Sequence, residues 1–225
     1  MSDSLAIQAA LQSAVDDGTF PGAVLLVRLR GEVVYEGAVG RLSIDPPGEP
    51  VTHDTIYDLA SLTKVLATTT AILLLAQQRR LTLEDRLDRL FPELQGAPVG
   101  GALVHHLLTH SSGLPGWRPF YERIAERDKS EPGILGSLAA RQAVLADIAQ
   151  EALVHDTGTR SLYSDLGFML LGLAIERQSG ESLDRFCAEH IYRPLASGPI
   201  GYLPHGLSAR EVATFGTSPS MAPTE

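Results

Sequence analysis

Ser61 and Lys64, in the stretch LASLTKVLATTTA (59–71), have the types and spacing to do chemistry together. Side chains three apart on a helix are neighbours, with Cβ atoms about 5–6 Å apart. The lysine nitrogen can therefore reach the serine hydroxyl. A serine at the first turn also has backbone N–H groups without intrahelical acceptors beside it, at the positive end of the helix dipole. Such surroundings suit a nucleophile whose attack on a carbonyl creates an oxyanion. The serine needs a base, and a lysine becomes one only when burial or a nearby cation lowers its pKa. The apolar residues around Lys64 supply the burial. Taken alone, the pair has a plainer reading, in which Ser61 caps the helix and Lys64 snorkels to water. S-x-x-K is short enough to recur by chance, so other residues have to decide.

Three other chemistries are weaker. HLLTH (106–110) sets His106 and His110 four apart on one helical face, next to His105, but the zinc-protease pattern needs a glutamate where Leu107 stands. Cys187, the single cysteine, excludes an internal disulfide and lies in LDRFCAEHIYRPL, where the helical pattern makes it a packed apolar residue. No G-x-S-x-G occurs, so a nucleophile elbow is unsupported, and no glycine-rich phosphate loop is present. No metal and no organic cofactor is implied.

The elements that must position Ser61 and Lys64 follow from periodicity and turn residues. SLAIQAALQSAVDDG predicts a first helix ending at Gly18. Two strands follow, Ala23 to Leu29 and Val33 to Gly37, around a turn at Arg30-Gly31. A proline-rich loop leads to a helix from about Ser61 to Arg79, apolar nearly all round and expected to be central and buried. LTLEDRLDRLFPEL, with a capping box at Thr82 and Asp85, predicts an amphipathic surface helix. Helices are also expected at the start of HHLLTHSSGLPGW with a break at Ser112-Gly113, over GSLAARQAVLADIAQEAL, after a loop within HDTGTRSLYSDLGFMLLGLAIERQSG and as far as Gly180, and over SLDRFCAEHIYRPL. Two strands alone make no stable sheet, so further strands are expected beyond Glu225 or near Ile200 and Val212.

The 225 residues suit one domain or two and can bury roughly 70% of the surface their unfolded chain exposes. A net charge of −9, from 27 acidic and 18 basic residues, argues against nucleic-acid and anionic-membrane partners, which ask for a basic face. The N-terminus has no basic segment followed by a long apolar run, and the run from Val65 to Ala76 is too short to span a bilayer. A cytoplasmic protein is expected, or a periplasmic one if a leader was removed.

FPGAVLLVRLRGEVVYEGAVG, HDTIYDLASLTKVLATTTAILLL, LTLEDRLDRLFPEL, HHLLTHSSGLPGW and GTRSLYSDLGFMLLGLAIERQSGESLDRFCAEHIYRPL together resemble the N-terminal part of the serine β-lactamase-like family. That family holds class C β-lactamases, D-alanyl-D-alanine carboxypeptidases and related esterases. The resemblance runs from about Phe20 to Leu195, and several motifs in register are far more specific than one S-x-x-K. It implies an α/β fold of the β-lactamase/transpeptidase type, an antiparallel sheet with a large helical subdomain. Residues 1–225 would form one such domain. Residues 1–58 would give a helix and strands, 59–195 the mainly helical part and 196–225 an irregular end. The sheet is expected to be incomplete.

By the same resemblance Ser61 is the acylated nucleophile, Lys64 its proton partner, and Tyr163 the tyrosine of the family's Tyr-x-Asn motif and the general base. A phenol with a pKa of about 10 is a poor base at neutral pH, and a charged Lys64 would favour its phenolate. Trp117, Phe120 and Tyr121 either line an acyl or leaving-group pocket or are plain loop packing.

The chain departs from the family in two places. Asp165 stands where the motif has asparagine. A carboxylate there would hold Lys64 charged and repel an anionic substrate, which points to a neutral ester or amide rather than a β-lactam. YSDLG partly resembles the Ser-Asp-Asn motif of class A enzymes, but Leu166 replaces the asparagine and no Glu-x-x-Leu-Asn is present. The family's third motif, Lys-Thr-Gly or His-x-Gly on a later strand, has no match. HDTG (155–158) precedes Tyr163, and FGT (215–217) lacks a basic residue. A fragment of a longer enzyme is therefore expected. The function implied is a serine hydrolase cleaving a small-molecule ester or amide through an acyl-serine intermediate. The alternative is a non-catalytic binding or regulatory relative that keeps the fold.

Overall fold

The computed structural model describes residues 2–198 and 200–202, in two compact units, residues 2–60 and residues 61–202. In the first unit, helix α1 (Ser2–Asp16) is followed by Gly18 at φ +71°, where a left-handed residue ends the helix at no steric cost. Strands β1 (Gly22–Leu29) and β2 (Glu32–Gly40) pair antiparallel. Their turn residues Arg30 and Gly31 both have positive φ, the backbone hand that matches strand twist. The register slips by one residue between Val27 and Arg28, a bulge that bends the ribbon. Helix α1 packs along β2, with the Tyr35 hydroxyl donating to Gln8 and Ser4 Oγ donating to the Val34 carbonyl at 3.3 Å.

The second unit is helical. Residues 62–77 form one continuous helix, a π-helical segment (Lys64–Thr69) running into α2 (Thr70–Gln77). It was expected to be buried all round, and the structure corrects this. Ala67, Ala71, Ile72 and Leu75 are buried, whereas Leu62, Val65, Leu66 and Leu73 are exposed. The buried stripe meets Leu166, Leu170, Leu171, Ala174 and Ile175 of α7 (Asp165–Ser179) in the unit's main core. That later helix ends where the sequence suggests. Ser164 Oγ accepts from Gly167 N–H at its start, and Gly180 closes it at φ +75°.

The surface helix expected over LTLEDRLDRLFPEL is also corrected. Thr82 and Asp85 do pair, the Thr82 N–H and hydroxyl both donating to the Asp85 carboxylate, at 2.8 and 2.9 Å. Only α3 (Leu87–Leu90) and a 3₁₀ turn (Pro92–Leu94) follow. Leu87 and Asp88 donate their N–H groups to Ala102 and Gly100 instead of extending a helix, and Pro92 cannot donate at all. Leu87, Phe91 and Leu94 are fully buried, so this segment forms core rather than surface.

Short α4 (Val104–Leu108), α5 (Phe120–Ser130) and α6 (Leu138–Ala149) complete the packing. The sequence did not suggest α5. The last predicted helix exists but is irregular: α8 (Leu183–Cys187), a π turn (Ala188–Tyr192) and α9 (Arg193–Leu195). Among the described residues the sheet has two strands. Ile200 is not in a strand, and Val212 lies outside the described residues. Among the described residues no helix is long and apolar enough to cross a membrane.

Candidate active site

Ser61 stands at the start of the long helix, directly after Ala60. Ala60 is at φ +42°, a left-handed conformation that costs a non-glycine residue about 1 kcal/mol or more. The first turn is closed by Lys64 N–H donating to the Ser61 carbonyl at 3.1 Å, which stacks the two side chains. Lys64 Nζ lies 3.4 Å from Ser61 Oγ. The turn that follows is π-helical, and Thr70 Oγ1 donates to the Val65 carbonyl at 3.0 Å inside it. Widened turns of this kind are frequent at functional sites.

Tyr163 arrives from far along the chain, and its hydroxyl donates to Ser61 Oγ at 2.7 Å. What holds it there is a ladder between two loops, 109–116 and 154–165. Gly113 accepts from Val154 N–H, Ser111 from Gly158 N–H, His110 from Leu162 N–H and Gly116 from Asp165 N–H, each at 2.8 Å. Hydroxyls add three more bonds: Thr157 to the Ser112 carbonyl, Ser161 to that of Thr109 and Ser164 to that of Pro115. Loops carry few backbone partners of their own, so this pairing satisfies groups that burial would otherwise leave unmet. Gly113 is needed at the bend. Its φ is +88°, and a Cβ there would lie 2.3 Å from the His155 carbonyl oxygen.

Asp165, the first residue of α7, places its carboxylate 2.6 Å from Lys64 Nζ. Desolvation pulls the lysine down, but its hydrogen bonds to Asp165 and Tyr163, with their negative charge, outweigh burial and raise it above the ordinary range. The apolar helix alone pointed to a neutral amine. The structure corrects that and agrees with the effect expected of Asp165. Tyr163 moves the other way. Hydrogen bonds from Lys64 and Ser61 stabilise its phenolate and lower its pKa, with partial burial and the Asp165 charge opposing. Ser61 thus faces a phenol drawn toward ionisation by a fixed ammonium. Lys64 Nζ also lies 4.9 Å from the centre of the Tyr163 ring.

Four of the five residues singled out in the sequence therefore meet: Ser61, Lys64, Tyr163 and Asp165. Trp117 is not joined to them. It stands half exposed on the loop after Gly116, its ring 6.4 Å from that of Tyr121. Phe120 is buried in the core, which removes it as a pocket-lining residue. His106 and His110 do not share a helical face, because α4 ends at Leu108 and His110 turns out at φ +56°. His106 Nδ1 accepts from Leu103 N–H at 3.1 Å, and His110 Nδ1 accepts from Ser164 N–H at 3.0 Å. Among the described residues no three potential ligands cluster as a metal site would require. Cys187 is fully buried, and burial pushes its thiol up to about 11.

A strained turn presenting a serine, a lysine one helical turn on and a tyrosine closing the triangle are the marks of one class of protein. The family model described as beta-lactamase matches residues 7–214, and the chain belongs to that family. Among curated relatives, it is 32% identical to a putative D-alanyl-D-alanine carboxypeptidase of Escherichia coli K12, over 90% of this chain and 49% of the relative. It is 31% identical to an N-acetylmuramyl-L-alanine amidase of Bacillus subtilis, over 78% of this chain and 41% of the relative. Esterase EstB of Burkholderia gladioli is 29% identical, over 88% and 51%. The solved structure of EstCE1, a hydrolase with promiscuous acyltransferase activity, superposes with a TM-score of 0.68 at 28% identity, over 86% of this chain and 52% of that one. The chain spans about half the length of these relatives. The fold expected from sequence, an antiparallel sheet with a large helical part of the β-lactamase/transpeptidase type, is the fold of this family.

Proposed function

We propose that the protein is a serine hydrolase that cleaves an ester or amide through an acyl-Ser61 intermediate. The observation that carries this is the triangle of Tyr163 Oη and Lys64 Nζ, 2.7 and 3.4 Å from Ser61 Oγ. The Tyr163 phenolate takes the proton from Ser61 as Oγ attacks the carbonyl carbon, and the carbonyl π electrons move onto oxygen. First-turn N–H groups offer donors to that oxyanion. The intermediate then collapses, Tyr163 returns its proton to the leaving alcohol or amine, and the acyl group stays on Ser61. Water, deprotonated by the same phenolate, hydrolyses the ester and restores the serine. Lys64 keeps its charge throughout and holds the phenolate in place, because Asp165 keeps it an ammonium.

Asp165 also sets the substrate class. A carboxylate in contact with the catalytic lysine disfavours a second carboxylate on the substrate. A neutral ester or amide is the better fit, and a β-lactam, which carries a carboxylate, the worse one. Relatives described as an esterase and as a putative carboxypeptidase support a hydrolase without choosing between the two bonds.

Intact mass after incubation with a fluorophosphonate tests the reading. One adduct on the chain, absent from Ser61→Ala, is the expected result. Absence of an adduct from the wild-type chain and from a longer form carrying the remaining family motifs would point to a non-catalytic relative instead.

A further inference from the structure

His110 makes more contacts to Tyr163 and its flanking peptides than a loop residue needs for packing. Its carbonyl accepts from Leu162 N–H at 2.8 Å, and its Nδ1 accepts from Ser164 N–H at 3.0 Å. Those are the N–H groups of the residues immediately before and after Tyr163. The imidazole also lies against the phenol, ring centres 4.5 Å apart and planes tilted by 32°. Phe168 of α7 also packs near the imidazole, at 5.0 Å and 35°. The phenol that touches His110 donates its hydroxyl to Ser61. His110 makes both contacts from a left-handed turn, at φ +56°. Histidine and asparagine tolerate that region better than most residues.

We propose that His110 is the positioning residue of this site. Through its carbonyl and Nδ1 it fixes the backbone on both sides of Tyr163, and so the place of the phenol that faces Ser61. The proposal rests on the reading of Tyr163 as the base. Because Nδ1 accepts, the ring proton sits on Nε2 and the imidazole must be neutral. The groups around it favour that state. Burial lowers its pKa first, and the Lys64 charge adds to this, while the Asp165 charge opposes. A proton on Nδ1 would set two N–H groups against each other and release the Ser164 peptide.

Two variants separate the roles. His110→Ala removes both ring and acceptor. His110→Asn places an amide oxygen near the former Nδ1 and suits the left-handed backbone. Two readouts follow each variant: the ultraviolet titration of the Tyr163 phenol, taken as the difference from the matching Tyr163→Phe background, and the maximal rate and half-saturating concentration of Ser61 labelling by a fluorophosphonate. In His110→Ala the phenol titration moves up toward the ordinary tyrosine value. The maximal labelling rate falls roughly 10- to 100-fold, the range for a misplacement of about 1 Å, with the half-saturating concentration little changed. His110→Asn restores most of both.

An alanine variant whose phenol titrates as in the wild type overturns the proposal, as does an asparagine variant no better than alanine. If the alanine variant does not fold, asparagine decides alone: an unshifted phenol supports the acceptor role and a fully reverted one refutes it. The phenol titration needs no turnover. A protein never labelled, as this chain or in the longer form, but whose phenol responds to His110 as described would therefore sink the hydrolase reading and leave the positioning role standing.

Discussion

Replacing Asp165 by asparagine tests the electrostatics of the site at one atom. The shape is kept and one negative charge is lost. In the native site the carboxylate lies 2.6 Å from Lys64 Nζ, with side chains 16% and 32% exposed, so solvent screens the pair only partly. A hydrogen bond between charged partners contributes about 1.5–3 kcal/mol and a neutral one about 0.5–1.5. The exchange therefore removes on the order of 1 kcal/mol of support for the ammonium. Loss of the same charge favours the phenolate, because Asp165 opposes Tyr163 ionisation. Acylation requires Tyr163 ionised and Lys64 protonated. Its rate rises with pH as Tyr163 ionises, at a pKa lowered from 10.0, and falls as Lys64 deprotonates, at a pKa raised from 10.5. In Asp165→Asn both limbs move to lower pH. At neutral pH, where the rate follows the small phenolate fraction, labelling rises by at most roughly fivefold, the factor for about 1 kcal/mol, because the Asp165 charge is the smallest of the influences on Tyr163. Discrimination against a carboxylate-bearing ester falls by a similar factor. The assay is fluorophosphonate labelling across pH, followed by paired neutral and anionic esters. Limbs that stay in place, or move to higher pH, would refute the claim that Asp165 holds Lys64 charged at the expense of the phenolate.

Gly113→Ala should destabilise the protein and slow Ser61 labelling together, since a Cβ at φ +88° and 2.3 Å from the His155 oxygen must push the two loops apart; thermal melting and labelling rate read this directly. Glu93→Gln should cost about 1 kcal/mol by denaturant melts at neutral pH, a value kept low because both partners are over a third exposed. The Arg177 hydrogen bond holds Glu93 down to about 2, so this contribution is full above its ordinary 4.5 and fades as pH falls toward 2; wild type and variant should converge there. Cys187, buried and raised to about 11, should resist iodoacetamide at pH values near 8 in the native protein and react once it is unfolded.

Much of the fold was legible because its determinants are local. Gly18 and Gly180 stop helices where they stand, and Arg30-Gly31 turns the hairpin. The segment from Thr82 to Leu94 was not legible, although its cap was. Leucines at helical spacing there also suit a chain that folds back on itself, and the choice was made by residues further on, where Ala102 and Gly100 take the N–H groups of Leu87 and Asp88. The exposed side of the 62–77 helix was hidden for a related reason. Composition says that Leu62, Val65 and Leu73 are apolar, but not which stripe α7 covers.

The same division runs through the site. Ser61 and Lys64 could be paired from spacing, and Tyr163 from resemblance, but the protonation of Lys64 depends on two opposing influences of different range. Its helical neighbours are apolar and argue for a neutral amine. Asp165, adjacent in space and remote in sequence, argues for an ammonium and wins. His110 shows the same logic with a wrong first reading. Four residues after His106, it fits a ligand pair only if the helix continues. The helix stops at Leu108, and the left-handed turn gives His110 to a loop 54 residues away. The signal in the sequence was the breaker itself: a Ser-Ser-Gly following the histidine leaves no helix on which a second ligand could sit. A histidine placed just before such a break is better asked which backbone it caps than which metal it binds.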